Sequence, residues 1–210
     1  RTRHVGGLPA NGLGATDMVM VMIGTNDVID LYQQKAAGTL TAAQATTEAG
    51  RRGTAAAVQF NRLLATGARA LLITMPEMGK SPYAVLATTT DSTAATLISA
   101  MTAAFNTALR LGIDSTQFDG RNYGLTLADD VVSVMAKFPT AYLASPANVT
   151  DGVCASGSMP QGCVLVTDTT TPANNIISNT HLWASDRFLG PVALAQIGAQ
   201  ALSRAINNPF

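Results

Sequence analysis

The sequence predicts an α/β protein built on a mainly parallel sheet. Two observations predict this. Residues 18–23, MVMVMI, form a short uncharged apolar run, the length and composition of a strand buried on both faces, as strands of parallel sheets are. Gly24 ends that run, a polar corner follows, and Val28, Ile29, Leu31 and Tyr32 begin a helical pattern. A strand, a glycine corner and a helix place polar side chains at the carboxyl end of a sheet, where open α/β sheets carry their chemistry. A second apolar run, ARALLITM at 68–75, follows a long helical stretch. The chain has 210 residues and shows no linker or internal repeat, which fits a single domain over residues 1–210 with a real core.

Residues 1–16 read as a loop, punctuated by Gly6, Gly7, Pro9, Gly12 and Gly14, and His4 is read as a surface residue within it. After the first strand and helix, Thr41-Ala42-Ala43-Gln44 has the form of a capping box. It opens a helix to about Thr66, with Val58, Phe60, Leu63 and Leu64 on a core-facing stripe, Gly50 and Gly53 as points of bending, and Gly67 as the stop. The strand at 68–75 ends in a proline-rich turn, 76–83. Asp91-Ser92 is read as the cap of the next helix, which carries Leu97, Met101, Phe105 and Leu109 at helical spacing and ends at Gly112. A strand is expected over 113–118, a turn over 119–124, and a helix from about Leu125 to Lys137 closed by Pro139. Residues 140–180 have little periodicity. Val164-Leu165-Val166 is expected as a short strand and 168–179 as a polar loop of the kind that carries binding function. Pro191 stands in the first turn of the last helix.

Gly24-Thr25-Asn26-Asp27, placed after an apolar strand, resembles the Gly-x-Asn-Asp block of the SGNH (GDSL-type) esterases and lipases. On the residues alone the same four positions suit a strand-to-helix turn in which Asn26 or Asp27 caps the helix. Pro76-Glu77-Met78-Gly79-Lys80-Ser81-Pro82 is similar to the Pro-[Asp/Glu]-x-Gly-x-[Ser/Thr]-Pro corner of bacterial lipases in that family, and Phe105-Asn106-Thr107-Ala108-Leu109 to its Phe/Tyr-Asn-x-x-Leu segment. The resemblance runs from just before Gly24 to the C-terminus. It implies a flavodoxin-like, three-layer α/β/α fold, and a secreted carboxylic-ester hydrolase. In that family the Asn amide donates to the oxyanion of a tetrahedral intermediate, a role that falls here on Asn26, with the backbone N–H of Gly24 beside it. Thr25 is a candidate substrate contact, and Met78 and Tyr83 either line an acyl pocket or pack.

Two parts of the family pattern are missing. The Gly-Asp-Ser-Leu block that supplies the nucleophile is absent, and no Gly-x-Ser-x-Gly elbow replaces it. Gly157-Ser158 lies in a cysteine loop, not after a strand. The block carrying the catalytic Asp and His, laid over His181-Leu182-Trp183-Ala184 and onward without gaps, puts the Asp on Ser185 and the His on Phe188, neither of which does acid–base work. His181 is the candidate base, with a strand-end residue as the plain alternative, and Asp186 either orients a histidine or caps the last helix. The missing strand would be the central one of the sheet. An N-terminal segment of the same protein, carrying the serine, is therefore expected as a partner. A catalytically altered SGNH-fold module that binds lipid or carbohydrate is the alternative.

Composition narrows the partners. Formal net charge is zero, charged residues make up 12% and hydrophobic ones 47%. No basic stripe exists, which argues against nucleic acid, and no apolar run reaches membrane-spanning length. A surface drawn from Thr, Ser, Asn and Gln, together with Cys154 and Cys163 closing a short Ser/Gly/Pro-rich loop as a disulfide, suits a secreted or periplasmic, outer-membrane-associated protein. Free thiols are the alternative for the two cysteines. No His, Asp or Glu lies between them and the two histidines are far apart, so no metal site and no cofactor are called for.

Overall fold

The computed structural model describes residues 12–154 and 179–207. The chain is mixed α/β, in the order β1 (Met18–Met22), α1 (Thr25–Ala36), α2 (Ala42–Leu64), β2 (Arg69–Ile73), α3 (Pro82–Ala87), α4 (Ala94–Leu111), β3 (Tyr123–Thr126), α5 (Ala128–Lys137), β4 (Asn148–Gly152), β5 (His181–Trp183) and α6 (Pro191–Asn207). Two short sheets result, both parallel: a three-stranded one in the order β1-β2-β3, and a two-stranded one of β4 and β5.

Local signals account for much of this. The capping box at the start of α2 is formed: Gln44 N donates to Thr41 Oγ1 at 3.2 Å while Thr41 N donates to Gln44 Oε1 at 2.9 Å. Phe60 and Leu64 are buried as expected, whereas Val58 faces solvent. Gly53 does not interrupt α2. It lets the backbone of α4 approach, since a Cβ there would collide with the carbonyl oxygen of Phe105. Among the described elements the two helices consequently share the most extensive contact.

The register sorts the side chains of the larger sheet. Met18, Met20 and Met22 share one face with Arg69, Leu71, Ile73 and Thr126; Val19, Val21, Ala70, Leu72, Tyr123 and Leu125 share the other. Phe60 of α2 meets Tyr123 edge-on at 6.0 Å on the second face. α6 packs on β3 and β2, and Leu71, Ile73 and Thr126 of the first face are buried.

Here an expectation is corrected. Residues 18–23 are not buried on both faces: Met18, Met20, Met22 and Ile23 are 52, 63, 43 and 43% exposed. Among the described residues β1 is an edge strand paired only with β2.

Other expectations are also corrected. Residues 113–118 form a turn, not a strand. Asp114 Oδ1 accepts from Thr116 N at 3.0 Å and from Thr116 Oγ1 at 2.6 Å, and Gln117 Nε2 donates to Asp114 Oδ2; such local bonds compete with a ladder. The strand is β3, within the stretch read as turn and helix start. Pro82 and Tyr83, read as the end of the proline-rich turn, instead open helix α3 on a Ser81 cap. The cap of α4 is Thr93, without a side-chain bond. His4, Ser158, Cys163 and the expected strand at 164–166 lie outside the described residues.

At Gly24 both the backbone conformation and the packing call for glycine. Its φ is +115°, and a Cβ there would stand 2.6 Å from the Phe105 ring. Gly24→Ala is expected to cost about 2 kcal/mol, from left-handed strain and a clash inside a packed core; a lowered urea midpoint at unchanged m checks it.

Candidate functional site

The corner after β1 is built as follows. Gly24 is the N-cap of α1 and offers no side chain to cap it. The first intrahelical bond runs from Val28 N to Gly24 O at 3.1 Å. The N–H groups of Thr25, Asn26 and Asp27 precede it and are the orphan donors of a helix start, with the positive end of the helix dipole behind them. Asn26 is exposed and is not the cap that a plain turn reading would make it. Its amide has no hydrogen-bond partner among the described residues. Asp27, by contrast, is tied down: Arg52 of α2 pairs with Asp27 at 3.3 Å, Asp30 at 2.8 Å and Glu48 at 3.4 Å. The Arg51 guanidinium holds the Glu48 carboxyl down to about 2.

A chain of contacts ties this helix to the segment before α6. Tyr32 of α1 meets Tyr83 of α3 edge-on at 6.1 Å, and the Arg187 guanidinium lies over the Tyr83 ring at 5.6 Å. Tyr83 N donates to Asp186 O at 2.9 Å, and the Asp186 carboxylate takes Arg187 at 2.8 Å. Beneath Tyr32, Lys35 and Asp91 pair at 2.6 Å. Hydrogen bonds from Lys35 and then Thr93 hold the Asp91 carboxyl well below the usual range, while burial, then the charge of Asp91, raises Tyr32. A depressed folded-state pKa stabilises above the ordinary carboxylate range, and that stabilisation is lost as pH falls through the folded value. Asp91→Asn is therefore expected to lower Tm near neutral pH, with the gap to the parent shrinking below about pH 4; thermal melts across pH check it.

His181 opens β5, with Thr180 Oγ1 at 2.8 Å from its Nδ1. His181 and Asp186 line one groove of about 550 Å³, together with Pro82 and Leu86 of α3 and Asn148 and Asp151 of β4. The structure thus brings the candidate base and the candidate acid to one groove, and Asn26 is not among its walls. Asp186 does not cap α6, which begins five residues later at Pro191. Ser185 is fully buried and donates to Asp186 Oδ1 at 3.3 Å. The Phe188 carbonyl accepts from Ala184 N at 2.7 Å and Ser185 N at 3.3 Å, so these two positions form a tight turn. Met78 is fully buried in the core. Tyr83 is occupied by its ring contacts.

Cys154 is buried and no free cysteine occurs among the described residues; its pairing with Cys163 remains an expectation. No cluster of three or more His, Cys, Asp or Glu side chains among the described residues is placed to hold a metal ion. No described helix is long and apolar enough to cross a membrane.

One polar network carried no role in the sequence reading. Asn106 Oδ1 accepts from Met75 N at 3.0 Å, and its amide donates to Met75 O at 2.8 Å and Asp129 at 3.1 Å. Thr74 Oγ1 donates to Asp129 at 2.6 Å and accepts from Ala128 N at 2.8 Å. This locks the carboxyl ends of β2 and β3 to α4 and α5. The signal was an asparagine inside an otherwise apolar helical stripe.

No protein-family model and no curated protein matches this chain.

Proposed function

We propose that this chain is the larger part of a secreted SGNH-type carboxylic-ester hydrolase with a flavodoxin-like, three-layer fold, completed by a segment of the same protein that carries the serine. The observation that carries the reading is Asn26: an exposed, unbonded amide at the carboxyl end of a parallel sheet, beside the orphan N–H groups of α1. In the reaction the serine oxygen attacks the acyl carbon and a histidine takes its proton. The carbonyl oxygen becomes an oxyanion, which the Asn26 amide and a neighbouring backbone N–H stabilise. The alcohol leaves with the proton returned by the histidine, and water repeats the cycle on the acyl-serine. His181 is the candidate for that histidine, with Asp186 sharing its groove and Thr25 beside the substrate. Motif resemblance supports the acyl-ester class of substrate. The uncharged polar surface and the two cysteines support secretion to the periplasm, the outer membrane or beyond.

A second reading is a non-catalytic module on the same scaffold that binds lipid or carbohydrate. It is favoured by the buried Ser185 and by Phe188, which stand where the family pattern has its Asp and His, and by the separation of Asn26 from the His181 groove.

Hydrolysis of short p-nitrophenyl esters by the polypeptide extended upstream, compared with this chain alone, tests the first reading. Turnover is expected only with the extension, and His181→Ala is expected to lower it by about 10²-fold. No turnover by either form, with retained binding of lipid or saccharide, establishes the second.

A further inference from the structure

We infer that the groove between α5 and α6 is a peptide-binding site, which takes an extended segment of about four residues bearing one ammonium and one carboxylate. This groove shares no residue with the one that His181 and Asp186 line, nor with the corner of Asn26. The inference is independent of the ester-hydrolase reading.

The groove has a volume of about 400 Å³ and two unlike walls. α6 supplies the polar wall. Gln196, Gln200 and Arg204 recur every fourth residue, so they share one flank of the helix, and all three are exposed. That flank adjoins the row Ala193, Ile197 and Ala201, which is buried. α5 supplies the apolar wall, from buried Val131 and Met135 and half-exposed Val134. It also places Asp130 of its first turn at the groove. Thr126, the last residue of β3, lines the groove from within. It is 2% exposed, and its Oγ1 has no hydrogen-bond partner among the described residues.

The polar side chains here are unengaged. Asp130, Tyr142, Gln196, Gln200 and Arg204 make no side-chain hydrogen bond or ion pair among the described residues. The groove of His181 differs: there Asn148 Nδ2 donates to Asp151 at 2.9 Å and Asp186 pairs with Arg187. Exposed side chains of this kind meet water. Thr126 is the exception, since a buried hydroxyl without a partner is costly. A peptide N–H or C=O at the base of the groove supplies one.

Charge and spacing select the occupant. Asp130 and Arg204 stand on opposite helices and do not pair with each other. A ligand of one sign meets a like charge as well as an unlike one, whereas a zwitterion matches both. An acyl chain leaves the glutamines and Thr126 without partners. A saccharide seeks an aromatic platform for its C–H face, and this wall is aliphatic, with Tyr142 as the one ring among the described lining residues. A glutamine amide carries a donor and an acceptor, as does a peptide unit. Successive positions on the α6 flank stand about 6 Å apart along the helix, and alternate residues of an extended peptide about 6.8 Å apart. Gln196 and Gln200 therefore match two alternate peptide units, and the Arg204 guanidinium takes the carboxylate beyond them. The peptide's side chains on the other edge fall on Val131, Val134 and Met135, which favours apolar ones.

Titration of the full-length polypeptide with the tetrapeptide Gly-Leu-Gly-Leu, followed by backbone amide NMR shifts, tests the inference. Saturable shifts are expected at 126–135 and 196–204, with a dissociation constant between roughly 10⁻⁵ and 10⁻³ M. Acetylating the amine or amidating the carboxylate is expected to weaken binding about 5-fold each. Asp130→Asn is expected to abolish the first difference alone and Arg204→Gln the second alone, with the melt unchanged because both positions are exposed. Thr126→Val separates a ligand-facing hydroxyl from a merely buried one: it is expected to raise the urea midpoint and also to weaken peptide binding. A raised midpoint with unchanged binding overturns the inference. So do charge variants that leave both differences intact, shifts centred on His181, or no saturable shift. Shifts with maltotriose and none with the peptide also overturn it, and make the groove a saccharide site.

Discussion

Asn26→Ala lowers ester turnover by the serine-bearing polypeptide by about 10²–10³-fold, the loss expected when one oxyanion donor is removed from a preorganised site. The fall is expected in kcat, because the donor acts on charge that develops only in the transition state. Stability is expected to change by less than about 0.5 kcal/mol, since the side chain is exposed and makes no bond whose loss matters. That split separates a catalytic donor from a structural cap, for which the pattern reverses. Steady-state kinetics with a parallel urea titration reads both.

Asn106→Ala has the opposite profile. It strips Met75 of the side-chain partners of both its N–H and its C=O in a buried setting and leaves Asp129 with one donor fewer. Each orphaned buried group costs about 1–3 kcal/mol, so a loss of about 3–4 kcal/mol is expected, read as a lower urea midpoint. Asn106→Asp does not rescue it, because it sets a second carboxylate against Asp129.

What the sequence made legible is what local chemistry decides. The box formed by Thr41 and Gln44, the stripe of Leu97, Met101, Phe105 and Leu109, and the apolar runs of β1 and β2 each act through neighbours a few residues away. The misreadings have the opposite cause. β3 contains Gly124 and is only four residues long, so its identity comes from pairing with β2, while the more strand-like 113–118 is captured by the Asp114 side chain. The exposure of β1 follows from its place at the edge of the described sheet, which no periodicity in residues 18–23 records. At the site, Asn26 could be placed from its strand and corner alone. That His181 and Asp186 share a groove whose other walls come from β4 and α3 depends on long-range packing, which no local pattern records.

The most direct test of the central claim is to label the upstream-extended polypeptide with a fluorophosphonate and map the modified residue by mass spectrometry. The account predicts one stoichiometric adduct, on a serine upstream of Gly12. No adduct, or one on a serine within the described residues, contradicts it.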